Sequence, residues 1–484
     1  MNKRVHLIGI GGIGMSALAR WFLAKGYAVT GSDIEKSEIT DALRSEGVSI
    51  SLRHNPKNVQ GNIEQVISSA AITPTAQGYN EFRAAKKRGI ETLTYSEALA
   101  LISSEYAAIA VAGAHGKSTT TALLSLVLAR AGFDPTVVIG TTLQEFGNSN
   151  FRLGRSNVCV IEADEHNAAF LNYRPSAAII TNIDREHLDF YKNLAGVKES
   201  FLQFIKNIKR NGILVLNKDD RNVYGMKKQI ERRAKTANIR VYWYGISSRS
   251  PVLDNLRAVL KIPGDHNLGN ALAAYTMAAA LGAKKKDILL ALGKYKGAWR
   301  RMEYRGTMRV SSIKYQVSSR NDKRQLPATS YQLPVYDDYA HHPSEIKATL
   351  AGIAQKWPKS AIICVFQPHQ AKRLALLFED FVKAFDQATF LILLDLYRVP
   401  GRDKASKINS KTLANAVQKR ILTGSRRLAT NNFKLQTAMH LPSPTRIRSV
   451  IETQIRNSKF EIRNPIIVMM GAGDIYKYTA ALVK

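Results

Sequence analysis

The stretch Gly113-Ala-His115-Gly116-Lys117-Ser118-Thr119 follows an apolar run at 107–112 and precedes a helical pattern, ALLSLVLAR, at 122–130. A glycine turn that opens a helix aims backbone N–H groups and the positive end of the helix dipole at one spot, which suits phosphate. A lysine there reaches the outer phosphates of a nucleoside triphosphate, and the next hydroxyl can ligate Mg²⁺. The chemistry expected is binding of ATP or GTP. The loop is short, because Val111 stands where the usual pattern has its first glycine. A strand-to-helix turn carrying Gly-Lys-Ser by accident is the plain alternative.

A second glycine turn, Gly9-Ile-Gly11-Gly12-Ile-Gly14, follows the first apolar run, and Asp33 closes the second. Dinucleotide-binding folds use this arrangement to hold a pyrophosphate on the turn and a ribose on the carboxylate. It fits a nicotinamide dinucleotide and any other pyrophosphate ligand equally well. Glycines that serve only packing are the bland reading. Two phosphate sites in series imply two nucleotides with different tasks.

The elements that must position these turns alternate between strand-like runs and helical patterns, which implies parallel α/β layers. The 484 residues suffice for about three domains. The expected division is 1–100, 101–298 and 299–484. The first segment carries VHLIGI and VISSA, the latter containing Ser69; the last carries VYDDYAHHP, AIICVFQPH, FLILLDLY and PIIVMMGAG as strand candidates. The polar, basic segment 311–334 reads as a surface excursion or an irregular hairpin, and 422–448 shows no readable pattern.

Seventy Lys and Arg against 38 Asp and Glu give a net charge of +32. Such a field attracts nucleic acid, anionic membranes or anionic small molecules. The charge is spread along the chain, with clusters at Lys227–Arg233, Lys284–Lys286 and Arg320–Arg324, and no nucleic-acid-binding motif accompanies it. A generally basic proteome or a phosphate-rich set of substrates gives the same balance, and no nucleic-acid partner is expected. No apolar run approaches the ~20 residues of a membrane-spanning helix, so no membrane insertion is expected. The start MNKRVHLIGIGGIG breaks into glycines, as a strand and turn would, rather than ending in a leader's cleavage site. Cys159 and Cys364 each sit in an apolar run, as buried reduced thiols of a cytoplasmic protein would.

Further segments come in order: Glu162-Ala-Asp-Glu165, Asn182-Ile-Asp-Arg-Glu-His187-Leu-Asp189, Gly264-Asp-His266-Asn267-Leu-Gly-Asn270, Gly297-Ala-Trp-Arg300-Arg301, Asp337-Asp338-Tyr339-Ala-His341-His342-Pro343, Phe366-Gln-Pro-His369 and Gly471-Ala-Gly-Asp474. Together with the phosphate loop they resemble the cell-wall Mur ligase family over nearly the whole chain, and within it the alanine-adding branch. The resemblance implies an α/β protein of three domains. These are a Rossmann-like N-terminal domain for a UDP-sugar, a central P-loop ATPase domain and a Rossmann-like C-terminal domain for the amino acid. It also implies the substrates UDP-N-acetylmuramate and L-alanine, the cofactors ATP and Mg²⁺, and a monomer or homodimer. In the family reaction the muramic carboxylate is phosphorylated and the amine displaces the phosphate.

The same resemblance distributes roles. Gly113, His115, Gly116, Lys117, Ser118 and Thr119 hold ATP, with His266, Asn267 and Asn270 on the adenine side. Ser118, Glu162 and His187 hold magnesium. A nitrogen ligand is unusual for this hard ion, so a capping or hydrogen-bonded histidine is the alternative for His187. A helix cap is likewise the alternative for the His266–Asn270 group. Asn182 contacts phosphate or substrate, Arg300 or Arg301 the γ-phosphate, and Asp338 orients that arginine or the ribose. Gly11, Gly12, Gly14, Asp33 and Ser69 face the sugar nucleotide; Tyr339, His341, His369 and Arg373 face the amino acid.

One position departs from the family. Its usual Arg-Tyr-Thr-Arg after Gln-Pro-His is Gln370-Ala371-Lys372-Arg373 here, so one expected arginine is a neutral amide. That leaves amino-acid selection less determined than the ATP chemistry. A tripeptide-adding relative shares most motifs, although Phe366–His369 favours the alanine branch. So does Leu202, near where later ligases of the pathway carry a modifiable lysine. A nicotinamide-dependent dehydrogenase, a basic nucleic-acid-dependent ATPase and a homologue that no longer ligates are the other readings.

Overall fold

The computed structural model describes residues 3–313, 329–398, 407–423, 435–457 and 464–483. Among them lie three sheets. The first comprises β1 (Arg4–Ile8), β2 (Ala28–Ser32), β3 (Ser49–Ser51), β4 (Gln65–Ser68) and β5 (Glu91–Thr94), all parallel in the order β3-β2-β1-β4-β5. The strand order reverses between β1 and β4, and open α/β sheets bind ligands at such a switch point, beyond the carboxyl ends of the strands.

The second sheet comprises β6 (Ala107–Ala112), β7 (Thr136–Leu143), β8 (Ser149–Arg152), β9 (Val158–Ala163), β10 (Ala177–Ile180), β11 (Ile213–Asn217) and β12 (Arg240–Tyr244). Its order is β12-β11-β10-β6-β9-β7-β8, parallel except for the β7–β8 pair. The third comprises β13 (Glu303–Ile313), β14 (Thr329–Asp338), β15 (Ile362–Phe366), β16 (Phe390–Leu394), β17 (Thr437–Leu441) and β18 (Ile466–Met470), ordered β13-β14-β18-β15-β16-β17. Here β13 and β14 are antiparallel.

The described flanks of the basic 311–334 segment are thus arms of a β13–β14 pairing. Its middle, with the Arg320–Arg324 cluster, lies outside the described residues. The 422–448 region contains β17 and the start of the helix Ile447–Asn457. That strand went unread because TAMHL is short and its neighbours are basic and polar.

The chain forms two compact units, Met1–Lys261 with Asn267–Ala298, and Ile262–His266 with Trp299–Lys484. The first two sheets belong to the first unit and the third sheet to the second. In the third sheet, Cys364, Phe366 and Leu391 face one apolar cluster while Ile363, Val365 and Ile392 face another. Alternate residues therefore face opposite layers, as in a sheet covered on both sides. The two cysteines are free and buried.

Two polar clusters of the first unit bear on how its elements are held. Asn150 on β8 is fully buried; its amide donates to Ile13 O and to Ser16 Oγ (2.9 Å) on the helix Ile13–Ala24, and its oxygen accepts from Arg20. The same arginine grips Glu46 at 2.7 Å. The β8 edge of the second sheet is thereby bolted to the helix that follows the N-terminal glycine turn. Glu81, also fully buried, accepts from Ser32 Oγ (2.6 Å), Asn55 N (2.6 Å) and Asn58 Nδ2 (2.7 Å). His6 Nε2 lies 3.2 Å and His54 Nδ1 3.6 Å from its carboxylate. Burial works against the Glu81 charge, yet the hydrogen bonds from His54, His6, Ser32 and Asn55 outweigh it and bring the carboxyl down to about 2.

Candidate active site

The N-terminal turn lies where β1 ends. Gly9 takes φ +77, open to glycine, and a Cβ there would come within 2.6 Å of Ser69 Oγ, just past β4. Asp33 accepts from Gly11 N at 2.7 Å and from Ile34 N at 2.8 Å. The structure thus brings Gly11, Asp33 and Ser69 around one turn, with the Asp33 carboxylate holding the turn's own backbone. Gly12 caps the helix that contains Gly14 and offers no side chain to it, which leaves first-turn N–H groups without a side-chain partner.

In the second sheet the phosphate loop follows β6, Glu162 ends β9, and Asn182 follows β10, so three neighbouring carboxyl ends converge. Gly116, at φ +81, is the N-cap of the helix Lys117–Arg130 and makes no side-chain capping bond. Added side-chain atoms would not fit: a Cβ on Gly113 would strike Thr181 Oγ1, and one on Gly116 would strike Asn270 Oδ1. Asn270 is therefore against the loop, on the helix Asp265–Ala280, with Asn267 one turn earlier on the same helix. His266 belongs to the second compact unit.

Asn182 braces the loop twice. Its Oδ1 accepts from His115 N at 2.8 Å and its Nδ2 donates to His115 O at 2.9 Å. The sequence assigns Asn182 to phosphate or substrate; in the structure both ends of its amide hold loop backbone. His115 Nε2 in turn lies 3.0 Å from Asp184 Oδ2.

Ser118 Oγ donates to Glu162 Oε2 at 3.1 Å, and Glu162 Oε1 accepts from Gly140 N at 2.7 Å. Thr119 is buried in the same helical turn. Lys117 Nζ donates to Gly113 O at 2.7 Å and to Glu165 Oε2 at 2.8 Å. Burial opposes its charge, but Glu165 and Asp164 more than compensate and hold the ammonium above its ordinary value. His187, at φ +53, faces Glu165 Oε1 at 3.6 Å and packs edge-on against His166. Burial, partly offset by the charges of Glu186 and Asp164, lowers His187 to about 4.

Sequence reasoning quoted Glu165 within a motif but gave it no role. It is 1% exposed, and one carboxylate oxygen makes no hydrogen bond to a described residue. Ligand atoms of Asp164, Glu165 and His187 all lie within 4.8 Å of one another. An oxygen-rich set with an unsatisfied buried carboxylate oxygen suits a hard divalent cation. Only the acidity of the motif could have pointed to Glu165, since burial does not show in sequence.

The second unit gathers the remaining candidates. Arg300 is 4% exposed; its guanidinium donates to Gly471 O and to Gly473 O (3.0 Å) and lies over the rings of Tyr476, Tyr339 and Trp299 at 4.7–5.6 Å. It works as an internal strut. Arg301, over Tyr339 at 4.9 Å, is the less buried of the pair. Asp338 accepts from Met302 N (2.9 Å), Ala340 N (3.0 Å) and Thr349 Oγ1 (3.2 Å), so it fixes the turn after β14. Tyr339, His341 and His369 meet ring to ring, with centroids 5.3 and 6.2 Å apart. Tyr397, unremarked in the sequence, stacks on His369 at 5.4 Å, and its carbonyl accepts from Gln370 N. Gln370 takes φ +64, and Arg373 stands one turn along the helix Ala371–Leu376.

Comparison with known proteins decides the family. Residues 4–107 match the Mur ligase family catalytic domain, 111–278 the Mur ligase middle domain, and 325–473 the Mur ligase glutamate ligase domain. A UDP-N-acetylmuramate–L-alanine ligase of Aquifex aeolicus is 38% identical, covering 82% of this chain and 84% of its own length. The chain belongs to the Mur ligase family. A ligase of the same name from Clostridium botulinum is 35% identical over 98% of this chain and 96% of its own. The crystal structure of a UDP-N-acetylmuramate–alanine ligase from Thermotoga maritima, 23% identical, shares the fold with a TM-score of 0.71, covering 99% of this chain and 98% of that one. Membership replaces the dehydrogenase reading of the N-terminal turn, for this Mur ligase carries the ATPase middle domain that a dehydrogenase leaves without a role.

Proposed function

We propose that this Mur ligase joins L-alanine to the carboxylate of UDP-N-acetylmuramate in peptidoglycan precursor synthesis, with ATP converted to ADP and phosphate. The observation that carries the reading is likeness along 98% of the chain to ligases of that name. A carboxylate is a poor electrophile, and the reaction must first give it a leaving group. The substrate carboxylate oxygen takes the terminal phosphoryl group of ATP as the bond to the bridging oxygen breaks. The alanine amine then attacks the acyl carbon, phosphate departs, and the amine proton is released.

The chain's residues support these steps by position and charge, the main levers in phosphoryl transfer. Backbone N–H groups where the Lys117 helix begins receive phosphate oxygens, and the Lys117 ammonium adds positive charge beside them. Asn182 keeps the loop in shape. Ser118 and Glu162 are assigned to one divalent cation, and His187 with Glu165 and Asp164 to another. Magnesium bound there supplies charge that lets two anions approach. In the second unit Tyr339, His341, His369 and Arg373 are assigned to alanine, with Arg301 rather than the enclosed Arg300 assigned to phosphate.

The test is phosphate release with UDP-N-acetylmuramate, ATP and Mg²⁺ against a panel of amino acids, with mass spectrometry of the product. Release that requires the sugar acid and alanine, with an added alanyl mass, is expected. Release independent of the sugar acid, or no amide with any small amino acid, overturns the reading.

A further inference from the structure

Tyr95 opens the helix Tyr95–Ser104. Its place is set by a reciprocal cap, in which Thr94 Oγ1 accepts from Glu97 N while the Glu97 carboxylate accepts from Thr94 N at 2.7 Å. The ring lies on Gly14, the last glycine of the N-terminal turn. A Cβ on Gly14 would come within 2.8 Å of two ring carbons and 3.0 Å of the hydroxyl oxygen. Gly14 is thus small because Tyr95 occupies the space.

The same helix start is tied to the central carboxylates. Ser96 Oγ accepts from Asn172 Nδ2 at 3.1 Å, and Asn172 ends the stretch His166–Asn172 that directly follows Glu165. Burial, with the charges of Glu162 and then Asp164, pushes the Tyr95 phenol above its ordinary value, so it stays a neutral donor. Its hydroxyl makes no hydrogen bond to any described residue. A half-buried tyrosine normally finds a partner for its O–H. Here it lies against the N-terminal glycine turn and within electrostatic reach of Glu162 and Asp164, all in one compact unit.

We propose that Tyr95 is a substrate-binding residue whose hydroxyl donates to an anionic oxygen of the sugar nucleotide between the Gly9–Gly14 turn and the Lys117 loop. The proposal rests on the reading that a uridine diphosphate sugar acid occupies that turn. Two oxygens qualify, one on the pyrophosphate and one on the sugar's carboxylate. Phe in place of Tyr95 keeps the ring on Gly14 and removes no hydrogen bond to a described residue.

The test is titration calorimetry of wild type and Tyr95→Phe with UDP, UDP-N-acetylmuramate and ATP, alongside thermal unfolding. A hydrogen bond to a charged group corresponds to a rise in Kd of about tenfold or more. That rise for UDP-N-acetylmuramate, with ATP affinity and Tm unchanged, is expected. If UDP weakens equally, the acceptor is the pyrophosphate; if UDP is unaffected, it is the carboxylate. Unchanged affinity for both uridine nucleotides overturns the proposal, and so does an equal loss for ATP or a lowered Tm. A wild-type chain that binds neither uridine nucleotide removes the functional reading and this proposal with it.

Discussion

Lys117 Nζ and Glu165 Oε2 are 2.8 Å apart, and the glutamate is almost wholly enclosed. Lys117→Ala leaves that carboxylate without its cation. Removing one member of a buried pair costs about 3 kcal/mol or more, whereas neutralising both costs far less. Lys117→Ala is expected to abolish phosphate release and lower Tm while UDP-N-acetylmuramate still binds. The double variant Lys117→Ala with Glu165→Gln recovers most of the Tm and none of the turnover. Recovered turnover would show that the lysine serves only the fold.

Asn182 holds His115 through both ends of its amide. Asn182→Ala releases the loop, so kcat/KM for ATP should fall about 10- to 100-fold, the scale for misplaced catalytic geometry. Steady-state kinetics with ATP varied, beside calorimetry with the sugar nucleotide, checks that the loss is confined to ATP.

Gln370 brings no charge where the family's usual run has arginine. Gln370→Arg is expected to lower KM for L-alanine, because a guanidinium pairs with a carboxylate in a way an amide does not. An unchanged or higher KM removes Gln370 from the alanine site.

Glu81 gives the first unit a pH-dependent contribution to its stability. Its folded carboxyl titrates near 2 against an ordinary 4.5, so the stability it contributes is complete above pH 4.5 and lost as pH falls toward 2. The full shift corresponds to about 3 kcal/mol. Glu81→Gln should lower Tm at pH 6 and converge on wild type as acid is added below pH 4.5. A gap that stays constant with pH would exclude the charged form as the stabilising one.

The glycine turns and the Lys117 loop were legible because their chemistry is local: a strand, a φ that only glycine takes easily, a helix start. The alternation of strands and helices was legible for the same reason. Partnerships across the chain were not. Glu81 reaches β1 and β2 through His6 and Ser32, 75 and 49 residues away, with no motif to announce it. The resemblance left Arg300 and Arg301 as alternatives for the γ-phosphate, because burial does not show in sequence; three aromatic rings and two carbonyls enclose Arg300. Tyr95 stood in an ordinary capped helix, and only the missing Cβ of Gly14 reveals its neighbour. The β13–β14 pairing was half seen, since a basic, polar run hides the alternation of an edge strand.

The Asn150 bolt has a consequence for selectivity. A buried amide clamps the helix behind the N-terminal glycine turn to the sheet behind the Lys117 loop, so the spacing of the two turns is held from within the unit. For the proposed ligase, that fixed span favours a sugar nucleotide whose acid reaches from one turn to the other.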